Sequence, residues 1–384
     1  MPHARKNLRF GIIGLGLMGR EFASAAARWC HLLDLDFVPR ITAICDTNPA
    51  LFGWFETNFE SIQLKTANYH DLLGSAEVDA IYCAVPHNLH QQFYIDILRA
   101  GKHLLGEKPF GIDIAANEAI LAEIARHPDL VVACSSEFPF YPAAQRIVRM
   151  VQENRFGTII EAWSGLLHSS DLDPNKKINW KRMVEINGEY GCMGDLGMHA
   201  LHLPLRFGWL PKRVHANLSK IVRERPDSNG NLVPCRTWDN ATLTCDVQTD
   251  DQAFPLYLQT YRIAPGESNT WYIRILGTRL SVEYSTKYPK SLRLMDYTPG
   301  GEQAWRTVEV GYEPAYPTIT GSIFEFGFPD ALLQMWASFC DELAHRRDGM
   351  RQPFYCATPD ETHLHHRVLT AGLHSGANHQ IVEI

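Results

Sequence analysis

The stretch that decides the fold is Leu8-Arg9-Phe10-Gly11-Ile12-Ile13-Gly14-Leu15-Gly16-Leu17-Met18-Gly19. Residues 8–14 form an apolar strand candidate, and residues 18–30 form a helix with Ala23, Ala26 and Ala27 at packing positions. The turn between them is Gly-x-Gly-x-x-Gly. Gly14 permits the tight turn, Gly16 lets a pyrophosphate approach the backbone, and Gly19 allows close helix–strand packing. Leu17 and Met18 complete the loop, and the phosphates would sit at the positive end of the helix. A strand before the motif and a helix after it point to dinucleotide binding.

Working outward, strand candidates at 40–45, 80–85, 103–106 and 130–134 alternate with helix candidates at 89–100 and 114–126. Apolar strands separated by helices predict βαβ units and a parallel sheet. After about residue 137 the texture changes. A helix at 143–154 precedes a long strand at 158–167, a polar stretch at 169–188 and a helix starting near Asp195. Strands follow at 214–222, 242–248, 256–261, 272–277, 280–285, 292–297 and 305–310, several divided by turn signals. Strands in succession predict a largely antiparallel sheet. Helices at 332–346 and 360–377 close the chain. The expected class is therefore α/β, with a Rossmann domain over 1–137 and a second α/β domain over 138–384.

The composition is globular: 45% hydrophobic, 21% charged, 384 residues. The formal net charge of -7 makes a general nucleic-acid binder a poor reading. Trp209, Trp238, Trp271 and Trp305 therefore read as packing residues. No apolar run approaches the ~20 residues of a membrane helix, and no signal peptide is evident at the N-terminus. Nine cysteines without a C-x-x-C pair argue for reduced thiols in a cytoplasmic protein.

The second strand ends at Asp46, where a carboxylate accepts hydrogen bonds from ribose hydroxyls and repels a 2′-phosphate. No Lys or Arg follows it closely, so NAD is expected rather than NADP. Glu107-Lys108-Pro109 follows the strand at 103–106, at the carboxyl end of the sheet where ligands bind. Gly191-Cys192-Met193-Gly194-Asp195-Leu196-Gly197-Met198-His199 opens a helix on which Asp195 and His199 share one face. A histidine beside a carboxylate is suited to acid/base work. His363, His365 and His366 do not share one helical face, and a triad of Asp195, His199 and His202 would lie beside Lys108. No metal is expected.

This combination resembles the Gfo/Idh/MocA oxidoreductases, a family that includes glucose–fructose oxidoreductase and inositol dehydrogenase. The resemblance rests on G-x-G-x-x-G, then E-K-P, then G-x-x-x-D-x-G-x-H, and extends over nearly the whole chain. It implies a large open, mostly antiparallel sheet in the second domain, commonly used to form a homodimer or homotetramer. It implies a sugar, cyclitol or polyol substrate bound between the domains. Lys108, Asp195 and His199 match the family's catalytic set: His199 takes the hydroxyl proton, Asp195 orients it, and Lys108 polarises the reacting oxygen. The segment 84–90 is similar to the family's stretch along the cofactor, which adds Ala84, Pro86 and His90 to the cofactor residues, and the E-K-P match adds Glu107 and Lys108. Trp180 and Arg182 stand before the helix as candidate substrate contacts. Two departures stand out: Tyr190 replaces part of a glycine run, and Glu137-Phe138-Pro139 replaces an Asn-Tyr-Arg-like segment. Two alternatives stay open, an NAD-retaining glycosidase or lyase using transient oxidation and a non-catalytic NAD-binding regulator.

Overall fold

The computed structural model describes residues 5–310, 313–321, 324 and 326–384. In chain order the first elements are β1 (Lys6–Ile13), α1 (Leu17–Ala27), β2 (Phe37–Cys45), α2 (Phe52–Asn58), β3 (Leu64–Thr66) and α3 (Tyr69–Leu73). β4 (Ala80–Cys83), α4 (His90–Arg99), β5 (His103–Gly106), α5 (Ile114–Ile124) and β6 (Val132–Cys134) follow. Next come α6 (Pro142–Gln152), β7 (Ile159–His168), α7 (Val184–Asn187), α8 (Cys192–Arg206), β8 (Pro211–Ser219) and the short β9 (Glu224–Pro226) and β10 (Leu232–Pro234). The chain continues through β11 (Asn240–Gln248), β12 (Ala253–Tyr261), β13 (Ser268–Gly277), β14 (Leu280–Ser285), β15 (Ser291–Asp296) and β16 (Arg306–Glu309). It ends with α9 (Phe328–His345), α10 (Pro359–Asn378) and β17 (Val382–Glu383).

Two compact units result. The first holds residues 1–111, 115–140 and 313–359; the second holds 112–114, 141–312 and 360–384. The first unit's six strands are parallel, in the order β3-β2-β1-β4-β5-β6. That is the doubly wound dinucleotide-binding order. The short β3 and the helices beside it carry too few apolar residues in register to be read from sequence.

The division at 137/138 needs correction, because residues 313–359 return to the first unit. The reason is aromatic packing. Trp336 of α9 lies fully buried against Phe22 of α1, with ring centroids 3.7 Å apart and edge to face. Phe22 in turn stacks on Tyr82 of β4 at 3.9 Å. Phe10 of β1 stands 5.1 Å from Trp336. Burying rings of this size is worth a few kcal/mol each, so the parallel sheet's core is completed by a helix whose Trp336 lies 314 residues beyond Phe22 in sequence.

The second unit contains a nine-stranded sheet in the order β16-β15-β14-β13-β7-β12-β11-β8-β17. β7 and β12 pair in parallel, and the other neighbours are antiparallel. β11 and β12 alternate buried and half-buried residues, the pattern of a sheet with one covered face. α8 covers it: Ser164 Oγ of β7 donates to the Ala200 carbonyl at 2.7 Å, and Trp271 Nε1 of β13 donates to the His199 carbonyl at 2.9 Å. Among the described residues no helix is long and apolar enough to cross a membrane.

The returning segment is also held by charge. His345 lies between Asp341, at 2.7 Å from Nδ1, and Asp36, at 3.1 Å from Nε2. The Asp341 hydrogen bond, then that of Asp36, raises the imidazole above its ordinary 6.5, with desolvation opposing. A raised histidine stabilises the fold in full below 6.5 and loses that contribution as pH rises through its folded value. His345→Gln should therefore lower the melting temperature by a few degrees near pH 6, and the gap to wild type should close near pH 9, as read by thermal melts across pH.

Candidate active site

In the first unit the glycines have separable duties. Gly14 sits at φ +92, and a Cβ there would lie 2.4 Å from the Ala84 carbonyl oxygen. A Cβ on Gly19 would lie 2.2 Å from the Gly14 carbonyl oxygen. These two positions hold β1, α1 and the end of β4 too close for any side chain. A Cβ on Gly16 would meet nothing within 4 Å. The space beside Gly16, at the N-terminus of α1, is therefore open to a phosphate. Leu17 is exposed and Met18 half-buried beside it.

Asp46 caps this arrangement. Its carboxylate accepts from the Leu15 backbone N–H at 2.8 Å and from that of Asn48 at 2.8 Å. Both bonds fix the carboxylate next to the glycine loop. The donor set, open cradle and carboxylate suit a dinucleotide.

The loop carrying Glu107 and Lys108 is tied down from behind. Tyr82 Oη donates to Glu107 Oε1 at 2.7 Å, and Tyr94 Oη donates to the Glu107 carbonyl at 2.9 Å. Lys108 is half-buried, and its bond to Pro109 is cis. His90 is fully buried and stacks on Tyr94 at 4.8 Å. Its Nδ1 accepts from the Gly111 N–H at 3.3 Å, which leaves Nε2 to donate to the Val85 carbonyl at 3.1 Å. His90 thus joins the loop after β4 to the loop after β5. Ala84 and Pro86 are half-buried at the end of β4. Glu137 is buried near Glu107 and Lys108. Burial and then the Glu107 charge push it up to about 7, against its own backbone N–H and Lys108.

In the second unit Asp195 and His199 lie one turn apart on α8, and both are buried. Gly197 lies between them, and a Cβ there would stand 2.9 Å from His365 Nε2 of α10, so glycine lets the two helices approach. The Asp195 carboxylate is held by two cations. Lys181 Nζ donates to Oδ1 at 3.1 Å and to Oδ2 at 3.0 Å, and Arg262 Nη1 donates to Oδ2. Arg262 also reaches Asp171 through Nε at 2.8 Å. Arg182 bonds Asp171 at 2.6 Å and pairs with Asp239. Burial works against the Asp171 charge, yet Arg262 and Arg182 hold it well below the usual carboxylate range. Burial likewise pulls the Arg262 guanidinium below its ordinary value, opposed by Asp171.

Arg182 therefore needs correction. It is fully buried between two carboxylates and presents no surface to a substrate. Trp180 is half-buried, with Lys181 Nζ 5.5 Å from its ring centroid. The sequence reading missed Arg262, Asp171 and Asp239. Arg262 directly follows the alternating strand β12, and an arginine there gives no local signal of its partner 67 residues away.

Among the described residues no group of three or more His, Cys, Asp or Glu side chains is placed to hold a metal. His202 accepts from Arg206 Nη2 at 3.2 Å, and burial pulls it down to about 3, against the pull of Glu361.

A parallel sheet in this order with a glycine cradle at its first helix defines a dinucleotide-binding domain. The family described as "Oxidoreductase family, NAD-binding Rossmann fold" (GFO_IDH_MocA) matches residues 8–135. Levoglucosan dehydrogenase of Pseudarthrobacter phenanthrenivorans is 24% identical over 326 residues, covering 81% of this chain and 82% of that protein. Among solved structures, an oxidoreductase domain protein from Kribbella flavida has a TM-score of 0.88 at 22% identity, with 99% of each chain covered. A levoglucosan dehydrogenase in complex with NADH and levoglucosan has a TM-score of 0.85 at 22% identity, covering 99% of this chain and 100% of that one. Residues 8–135 thus match the NAD-binding Rossmann domain of the Gfo/Idh/MocA oxidoreductases, and the likeness of the whole chain to solved structures at 22% identity shows the shared fold.

The cradle separates two substitutions. Gly14→Ala should cost folded protein, because its Cβ strikes backbone at positive φ. Gly16→Ala should fold like wild type and bind NADH at least tenfold more weakly, by fluorescence titration, because the methyl enters the open space beside the helix N-terminus.

Proposed function

We propose that this enzyme oxidises a secondary alcohol of a sugar, cyclitol or related polyol and passes the hydride to NAD. The observation that carries this reading is the buried pair on α8, Asp195 with His199, in a chain whose other unit holds the glycine cradle. His199 receives the hydroxyl proton as the C–H bond breaks. Asp195 supplies a fixed negative charge one turn before it. Lys108, anchored through Glu107, donates to the reacting oxygen and favours its alkoxide character. The dinucleotide, when held by Gly14, Gly16, Gly19 and Asp46, supplies the hydride acceptor. Trp180 is a candidate contact for the apolar face of a sugar ring.

NAD over NADP is supported by Asp46. Its carboxylate is fixed at the end of β2, and residues 47–52 contain no Lys or Arg to meet a 2′-phosphate. The relative that gives the substrate class its support is named for levoglucosan, an anhydrosugar.

The test is a panel of sugars, cyclitols and polyols, levoglucosan included, read as NADH absorbance. Net NADH should accumulate with at least one member, and kcat/KM should favour NAD over NADP. Lys108→Ala and His199→Asn should each lower kcat roughly a hundredfold or more. Bond cleavage without net NADH would favour the NAD-retaining hydrolase or lyase. Full activity in both variants would favour a regulator.

We also infer a homodimer or homotetramer formed through the half-exposed face of the nine-stranded sheet. Support comes from the aromatic side chains on that face: Trp163 stacks on Tyr257 at 5.2 Å, with the Arg274 guanidinium 4.8 Å from the Trp163 ring. Such rings are enriched at subunit interfaces. Light scattering should give at least twice the 43.5 kDa chain mass, and Trp163→Asp with Tyr257→Asp should shift it toward one chain. A cytoplasmic setting is supported by nine cysteines outside any disulfide, eight of them buried.

A further inference from the structure

We propose that Arg262 is a positioning residue for the reaction, locking Asp195 as an ionised, immobile acceptor at one end of a buried chain of alternating charges. This rests on the reading that Asp195 takes part in turnover.

The chain runs Asp239, Arg182, Asp171, Arg262, Asp195, Lys181. Its side chains come from the residue before β11, the turn at 180–182, the loop after β7, the residue after β12 and the first turn of α8. The first five are between 0% and 8% exposed, whereas Lys181 is 29% exposed. Lys181 is thus the end of the chain that water and small molecules reach.

The far end is pinned by backbone. Asp239 Oδ2 accepts from the Ile221 and Val222 N–H groups at 2.5 and 2.9 Å. Asp171 is pinned as well: Arg225 donates to its carbonyl at 2.5 Å, and Lys176 reaches its carboxylate at 3.3 Å. A guanidinium is planar and bonds two carboxylates in fixed directions. Arg262 therefore transmits the position of Asp171 to Asp195. Lys181 alone would not, because an ammonium on a flexible stem sets no direction.

The charged and titratable groups around Asp195 within this unit are Cys192 and His199 on α8, Lys181, Arg262, Asp171 behind Arg262, and His365 of α10 over Gly197. Lys181 and Arg262 each place a cation on its oxygens. Removing Arg262 would take a cation from a buried carboxylate and make it easier to protonate.

The test is an infrared difference titration of the full-length protein, with Asp195→Asn assigning the Asp195 carboxyl band. Wild type should keep Asp195 ionised down to the pH at which the protein unfolds. In Arg262→Gln the protonated band should appear at least one pH unit higher, and Arg262→Lys should restore part of that shift. With the best substrate of the panel, Arg262→Gln should lose roughly tenfold or more in kcat, with KM for NAD changed less than threefold. An unmoved band with wild-type kcat, in a setting where Asp195→Asn is inactive, overturns the proposal and leaves the oxidoreductase reading standing. An active Asp195→Asn overturns that reading of Asp195 and the proposal with it. Should Arg262→Gln not fold, Arg262→Lys decides, since it keeps the charge and loses the planar two-way bond. A smaller shift in the same direction with a lower kcat supports the chain, and an unmoved band with wild-type kcat overturns it.

Discussion

A carboxylate with 1% of its side chain exposed is costly to bury, by several kcal/mol unless it is paired. Asp195 imposes that cost on the second unit, and much of the unit's irregular chain answers it. The polar loop after β7 brings Asp171, the turn at 180–182 brings Lys181 and Arg182, and the end of β12 brings Arg262. These segments have little apolar surface of their own to fix them. Their positions follow from satisfying charge in a place without water, where each member left unpaired would be worth more destabilisation than the pair is worth stability.

The first unit meets a different constraint, which is steric. Between β1, α1 and the end of β4 there is no room for a Cβ at residues 14 and 19, while at residue 16 there is. The loop is shaped by what cannot be there. Once it is set, Asp46 is bound to it through the Leu15 N–H, so the acidic side chain at the end of β2 and the helix N-terminus share one frame. The core beneath needs Trp336, which is why the chain must return before this frame is complete.

What was legible in the sequence follows from which of these constraints is local. The spacing of Gly14, Gly16 and Gly19 is a local requirement and is readable as such. So is the one-turn spacing of Asp195 and His199, and so is the alternation of β11 and β12. The return of α9 was not legible, because amphipathic periodicity says that a helix has a buried face and not which sheet it buries against. Arg182 was misread for a similar reason. An arginine before a candidate helix is usually solvated, and only the positions of Asp171 and Asp239 make it a buried strut. The tie that His90 makes to the Val85 carbonyl and the Gly111 N–H was not legible either, because it joins two loops and Gly111 stands 21 residues beyond it in sequence.

The long-range pairs also change what Asp195 contributes. A lone aspartate beside a histidine would act mainly through its charge, drawing a proton toward the imidazole. Here two cations already face that carboxylate, so much of its field is spent on Lys181 and Arg262. What remains is direction: an acceptor whose two oxygens are fixed by bonds from opposite segments. The carboxylate's geometry is thereby set by the end of β12 and the turn at 180–182, segments far from each other in sequence, rather than by its own helix.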